Sequence, residues 1–324
     1  MDGLYSSFLG LPRPIMNGEF QALSLSPQRK DFLVKNDAEA PVFLLHDASS
    51  AKYTPALKFR HLSAQFHVTC RVQINEGVLL DRFCVLVCDD STPELHELFI
   101  RCVSAAITEL PDAAGTRELE TCILRLQDLF RALAVPSNRE VSALWAELFI
   151  VSKCGNPARA LSLWHEDQFD RFDFSSSNMR LEVKSSVRGI RAHEFALEQL
   201  EPPVQGHGCV ASMLLQPLTG GVGVLDLAQS IETAIQSAPR ARQKLWCNIT
   251  TALGGDFSER LDRRFDPVFA EKNLIIYSMS DVPRPATPLD SRVTAIRFMS
   301  DLTSVATSVR STSLPALASI FRDE

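Results

Sequence analysis

A short stretch in the middle of this chain carries most of the chemistry its sequence could perform. In QFDRFDFSSSNMRLEVKSS, Phe172 and Phe174 flank Asp173, Leu181 and Val183 flank Glu182, and the polar stretch Ser175 to Asn178 lies between the two runs. Alternation on either side of a polar tip predicts a β-hairpin. A turn centred between Ser177 and Asn178 sets Asp173 directly across from Glu182, and the period of two puts Glu182 and Lys184 on one face. Opposed carboxylates repel, so a bare sheet loses roughly a few tenths of a kcal/mol or more from this pair. A divalent cation reverses that sign. Mg²⁺ is a hard ion that takes one or two carboxylates and completes its shell with waters and phosphate oxygens, so Asp173 and Glu182 suit it as ligands, with Mn²⁺ able to substitute. A phosphodiester hydrolase would use such an ion to lower the pKa of a bound water and to neutralise charge on the phosphoryl oxygens. Lys184 would orient or deprotonate that water, or stabilise the transition state.

A third carboxylate stands upstream. Ser137 and Glu140 form an S-x-x-E capping box ahead of EVSALWAELFIVSK, which predicts a helix. At about 100° per residue its apolar arc is set by Val141, Leu144, Leu148 and Val151, and Glu147 lies on the flank of that arc, held against apolar surface. His165 and His193 are near in sequence, but the seven histidines lack ligand spacing, and surface or core positions are expected for both. Thr219 to Gly223 lacks the lysine of a phosphate-binding loop and reads as a flexible turn before a helix beginning near Asp226. No GxSxG nucleophile elbow is present.

These residues need a frame, and the 324-residue chain is long enough for about two domains. With 45% hydrophobic and 22% charged residues it reads as an ordinary globular protein. The first 35 or so residues, rich in Ser, Pro and Gly, read as an irregular lead-in. PVFLLHDA, ALKFRHLSAQFHVTCRVQI and LLDRFCVLVCDD then predict a small antiparallel sheet, with a turn at Asn75-Glu76-Gly77. Two helices follow, one over PELHELFIRCVSAAITEL capped by Ser91 or Thr92, the other over ELETCILRLQDLFRAL and stopped by Pro136. Beyond the hairpin come a helical stretch RAHEFALEQLE, a strand GCVASMLLQPL, a helical region from Leu225 to about Leu253, and short late strands near NLIIYSM and VTAIRFM. The eight cysteines form no CxxC pair and read as reduced, mostly buried thiols, including Cys84 and Cys88 on one face of FCVLVC. The N-terminus lacks the pattern of a secretory signal and no run is long enough to span a membrane, so a cytoplasmic location is expected. A net charge of −6 argues against a surface coated in basic residues, yet Arg188, Arg191, Arg240, Arg242, Lys244, Arg260, Arg263 and Arg264 all fall in the C-terminal half, where a local nucleic-acid groove would need them.

Asp173 with Glu182-Val183-Lys184 resembles the PD-(D/E)XK, or restriction-endonuclease-like, superfamily. Trp145-Ala146-Glu147-Leu148, Asp173-Phe174, LEVKSS, Gln199-Leu200 and YSMSDVPRP are similar to successive landmarks of a bacterial family of PD-(D/E)XK motif proteins found in restriction and phage-defence gene neighbourhoods, over roughly residues 95 to 285. The resemblance implies an α/β (α+β) fold with a mixed central sheet flanked by helices. With the domain boundary read at the Pro136 stop, the chain divides into an N-terminal sheet-plus-helix domain over 1–135 for partner or DNA recognition, a nuclease core over 136–222, and a mainly helical region with short strands over 223–324. It further implies Glu147 as a carboxylate supporting the metal site, Asp173 and Glu182 as ligands, Lys184 as the catalytic lysine, and Gln199 lining the site. Arg188 and Arg191 would face DNA. Phe172 stands where the family motif has proline, and Asp170 offers a second aspartate three residues earlier; the hairpin register favours Asp173. The activity implied is that of a Mg²⁺-dependent endodeoxyribonuclease of a restriction or defence system, as a homodimer or with helicase/ATPase or methyltransferase partners. The alternative is a catalytically silent DNA-binding or scaffolding subunit that keeps the fold.

Overall fold

The computed structural model describes residues 3–14, 19–50, 53–59, 61–74, 77–88, 93–133, 140–166, 170–286, 292–293, 295–309 and 313–322. The chain folds as α+β and forms two compact units, Met1–Ser137 with Ile249–Ser258, and Asn138–Asn248 with Glu259–Glu324. No helix among the described residues is long and apolar enough to cross a membrane.

The first unit begins with α1 (Leu4–Leu9) and strands β1 (Glu19–Ser24), β2 (Phe32–Lys35), β3 (Pro41–His46), β4 (Leu57–Lys58), β5 (Leu62–Ile74) and β6 (Gly77–Cys88). The strand order is β1-β2-β3-β6-β5-β4, and β1 also pairs parallel with β5 from Glu19↔Arg71 to Gln21↔Gln73, so the sheet closes on itself. Residues 19–35 are therefore not the irregular lead-in that their composition suggests: β1 supplies the closing strand, and closure leaves it no open edge. β2 and β3 are buried on both faces because one face fills the barrel and the other is covered. Phe32, Val34, Val42 and Leu44 join Cys70, Val72 and Phe83 inside, while Phe43 turns outward to meet Phe99 edge-on at 5.6 Å. Phe99 lies on α2 (His96–Ile107), which is followed by α3 (Thr116–Ala132). The expected cap at Ser91 or Thr92, the Asn75-Glu76 part of the turn, and the stop at Pro136 lie outside the described residues. Seven of the eight cysteines are buried and all are free, with Cys84 and Cys88 both inside as expected.

The second unit is built on α4 (Val141–Lys153), a long amphipathic element turned core helix: ten of its residues from Val141 to Val151 are buried, because it packs on a strand, on α5 (Pro157–Leu163) and on further helices at once. Its N-cap is Glu140, in extended conformation, one position before Val141; the expected capping box placed Glu140 inside the first turn, and Ser137 lies outside the described residues. Asn156 caps α5 by accepting from the Arg159 N–H at 3.1 Å, with Pro157 at the first helical position. Strands β7 (Phe174–Ser175), β8 (Met179–Ser186), β9 (Ala192–Ala196), β10 (His207–Leu214) and β11 (Pro217–Val222) follow, then α6 (Val224–Ala234). α7 (Pro239–Leu253) and α8 (Phe257–Leu261) each contribute residues to both units, and α9 (Pro267–Lys272), β12 (Leu274–Ser278), β13 (Arg297–Asp301) and α10 (Ser313–Ile320) complete the chain.

The main sheet of this unit has the order β12-β10-β8-β7, with β8 and β10 parallel and the other pairs antiparallel. A central strand such as β10 is buried along nearly its whole length because both faces are covered, which its near-continuous apolar run GCVASML anticipates. The stretch RAHEFALEQLE is not a helix. Ala192–Ala196 pairs with Arg297–Asp301, a hundred residues away, and burial alternates along it, His193 and Phe195 in and Glu194 out. Helix-favouring Ala, Glu and Leu are overridden by this long-range pairing, and only Leu197–Leu200 coils, as a single 3-10 turn. The Thr219 to Val222 stretch is likewise strand rather than free turn, and Gly223 is the N-cap of α6. Gly220 has φ 80°, and a Cβ on Gly221 would lie 2.5 Å from the Phe265 carbonyl oxygen, so the adjacent glycines let the backbone press against Phe265.

Candidate active site

The hairpin pairs Phe174 with Leu181 and Ser175 with Arg180. Continued by one residue, that register sets Asp173 across from Glu182, as the alternation and the polar tip predict. Asp173 turns inward and its Oδ2 accepts from the Val183 N–H at 2.7 Å, locking the carboxylate against β8. Asp170 is exposed, and its carboxylate accepts from the Glu166 N–H at 2.9 Å.

Glu147 is 1% exposed on α4, and its Oε2 accepts from Trp164 Nε1 at 2.7 Å. A buried carboxylate needs such a charge-assisted bond to offset lost hydration. His165, the next residue, brings Nε2 to 3.5 Å from the same oxygen. One ligand atom from each of Glu147, His165 and Asp173 lies within 4.8 Å of the others. The histidine was expected at a surface or core position; it is 11% exposed and lies beside the two carboxylates. The Asn156-Pro157 pair signals the start of α5 in the sequence, but the meeting with the carboxylates depends on α5 packing on α4.

Glu182, 3% exposed, has its Oε1 held from two sides, by Lys184 Nζ at 2.8 Å and by Gln199 Nε2 at 2.6 Å. The Gln199 side chain is itself fixed, its Oε1 accepting from the Ala196 N–H at 3.0 Å and its Nε2 also reaching the Arg171 carbonyl at 3.3 Å. The Lys184 ammonium lies 5.2 Å from the centroid of the Phe195 ring, so β9 supports the lysine from below. Lys184 is paired in register with Ser212 of β10, whose hydroxyl meets His193 Nε2 at 2.8 Å. His193 is buried, and burial first, then the positive charges of Lys184 and Arg191, push its pKa down to about 4, so it is a neutral core histidine.

The basic residues separate into classes. Arg188 is exposed, as are Arg240 and Arg263. Arg191, expected to face DNA, is 6% exposed and commits its guanidinium to the Ser212 carbonyl at 2.7 Å, the Ser212 hydroxyl at 3.0 Å and the Asn273 carbonyl at 2.6 Å. It clamps β10 to the residue before β12, and at 6% exposure the guanidinium is turned into the protein rather than toward solvent. Arg242, Lys244 and Arg264 pair with Glu232, Glu166 and Asp226.

Two groups thus converge along the hairpin and α4: Glu147, His165 and Asp173 in one, Glu182, Lys184 and Gln199 in the other, joined by the Asp173 to Val183 bond. The donor set of carboxylates and an imidazole fits a divalent cation. A family model described as "Putative PD-(D/E)XK family member, (DUF4420)" matches residues 20–303. That span extends well before and after the landmarks from which the resemblance was drawn. No curated protein and no solved structure matches the chain.

Proposed function

Because the chain belongs to this DUF4420 family of PD-(D/E)XK proteins, we propose that it is a metal-dependent nuclease that hydrolyses DNA, working in a bacterial restriction or phage-defence system. The observation that carries the reading is the convergence of Glu147, Asp173, Glu182 and Lys184 on one hairpin and the helix behind it. In this reading the mixed sheet β12-β10-β8-β7 with α4 is the restriction-endonuclease-like core. The N-terminal barrel serves recognition of DNA or of a partner such as a helicase, a methyltransferase or a second copy.

Asp173 and Glu182, with Glu147 behind them, would hold the divalent cation, Mg²⁺ or Mn²⁺. When bound, such an ion supplies a water of lowered pKa and neutralises charge on the scissile phosphate. The chain's own residues do the positioning. Trp164 fixes Glu147, the Val183 N–H fixes Asp173, and Gln199 fixes Glu182, so the carboxylates are oriented before any ligand arrives. Lys184, braced by the Phe195 ring, presents an ammonium beside Glu182, where it can hold or donate a proton and stabilise charge developing on the phosphoryl oxygens. Arg188, exposed just past β8, contacts the phosphate backbone.

The test is cleavage of plasmid and phage DNA by the purified chain with Mg²⁺ or Mn²⁺, beside Asp173→Ala and Lys184→Ala checked for intact folding. Metal-dependent cutting lost in both variants is expected. No cutting by any form, with no metal binding by calorimetry, sinks the stand-alone nuclease and leaves the silent DNA-binding subunit.

A further inference from the structure

His165 has no place in the Asp, Glu and Lys pattern, yet it is among the most firmly positioned residues near the site. Its N–H donates to the Asp173 carbonyl at 2.8 Å, and its own carbonyl accepts from Asn248 Nδ2 at 2.8 Å, so its backbone is pinned from both sides. The ring packs edge-on against Trp164, with centroids 5.7 Å apart, and the side chain is 11% exposed. Trp164 in turn holds Glu147. One dipeptide therefore fixes both a carboxylate and the imidazole beside it, and it is tied by a main-chain bond to the residue that supplies the second carboxylate.

The resulting donor set is two carboxylate oxygens and one imidazole nitrogen, mutually within 4.8 Å. That composition discriminates between ions. Mg²⁺ is satisfied by oxygen and gains little from an imidazole, whereas first-row transition ions accept nitrogen, Mn²⁺ the most weakly of that series but more readily than Mg²⁺. An imidazole held by its neighbours in advance loses little freedom on coordination, which favours an ion that accepts nitrogen. We propose that His165 is a nitrogen ligand of the metal centre and makes it select Mn²⁺ over Mg²⁺. This rests on the metal centre proposed above, with Glu147 taken as a direct ligand beside Asp173 rather than as support, and reverses the order of preference that carboxylates alone suggest.

The experiment uses the full chain stripped with chelator. Mn²⁺ and Mg²⁺ are titrated by calorimetry, and the Mn²⁺-loaded protein is measured by pulsed electron paramagnetic resonance, for wild type, His165→Ala and His165→Gln, each checked by circular dichroism. The wild type is expected to bind Mn²⁺ much more tightly than Mg²⁺ and to show ¹⁴N modulation from a bound imidazole. Both variants should lose the modulation and about tenfold or more in Mn²⁺ affinity, while Mg²⁺ affinity moves by no more than about threefold. An unchanged Mn²⁺-to-Mg²⁺ ratio, or absent ¹⁴N coupling in the wild type, overturns the proposal; His165 is then only an ion-pair partner of Glu147. If Asp173→Ala still abolishes metal binding in that case, the metal centre itself stands. Should wild type bind neither ion, both readings fall together. Binding with ¹⁴N coupling but no DNA cleavage sinks the nuclease alone.

Discussion

Glu147→Gln separates a site built to hold a cation from a buried ion pair that merely stabilises the fold. Glu147 is 1% exposed, and one of its oxygens lies within 4.8 Å of an Asp173 oxygen. At an effective dielectric constant of about 20, two like charges at that separation repel by about 3.5 kcal/mol. Asp173 is only partly buried, so solvent screens part of this repulsion and about 1 to 2 kcal/mol is a fair net figure. Glutamine keeps an oxygen that can accept from Trp164 Nε1 and removes the charge. With chelator present the variant should be the more stable protein, by about 2 to 8 °C in Tm for a unit of this size. With Mn²⁺ at about a hundredfold above its Kd the wild type gains about 2.7 kcal/mol, whereas the variant gains little, so the order reverses. Urea and thermal unfolding of both proteins, with chelator and with Mn²⁺, read this directly. If the chelated variant is instead destabilised by about 3 to 5 kcal/mol, the reasoning is refuted, since that is the cost of breaking a compensated buried ion pair.

Gln199→Ala removes the donor 2.6 Å from Glu182 and should lower metal affinity by about 10- to 100-fold with the fold intact; calorimetry showing no change would take Glu182 out of the metal site. The two arginines should behave oppositely: Arg191→Met strands the Ser212 and Asn273 carbonyls and costs about 2 to 4 kcal/mol in urea unfolding without altering the salt dependence of DNA binding. Arg188→Ala leaves stability unchanged and reduces the salt slope of binding by about 1. His193 gives a pH signature. Its pKa is pushed down to about 4 in the folded chain from 6.5, so below pH 6.5 the unfolded state binds a proton that the folded state does not. Stability is present in full above pH 6.5 and is lost as pH falls to about 4, by up to about 3 kcal/mol. His193→Gln should flatten that part of the profile, and an unaltered slope would place the loss on other groups.

The parts of the site legible in the sequence are those whose geometry is decided within about a dozen residues. Alternation around Asp173 and Glu182 and a polar tip between them determine the register, because a strand's side chains change face at every residue and a slip of one would bury the wrong set. The helix bearing Glu147 was readable for the same local reason, though not its burial on nearly every side. What only the tertiary structure decided depends on partners far along the chain. β1 closes the barrel by pairing with β5, and nothing in residues 19–24 names that partner. Ala192–Ala196 has helix-forming composition and becomes a strand because Arg297–Asp301 lies beside it. Arg191 looks like a surface cation until Ser212 and Asn273 surround its guanidinium. His165 meets Glu147 and Asp173 only because α5 folds back against α4, and Asn248 of α7 holds its carbonyl. Each is settled by burial and hydrogen bonding between distant segments, which local propensity, worth tenths of a kcal/mol per residue, is too weak to oppose.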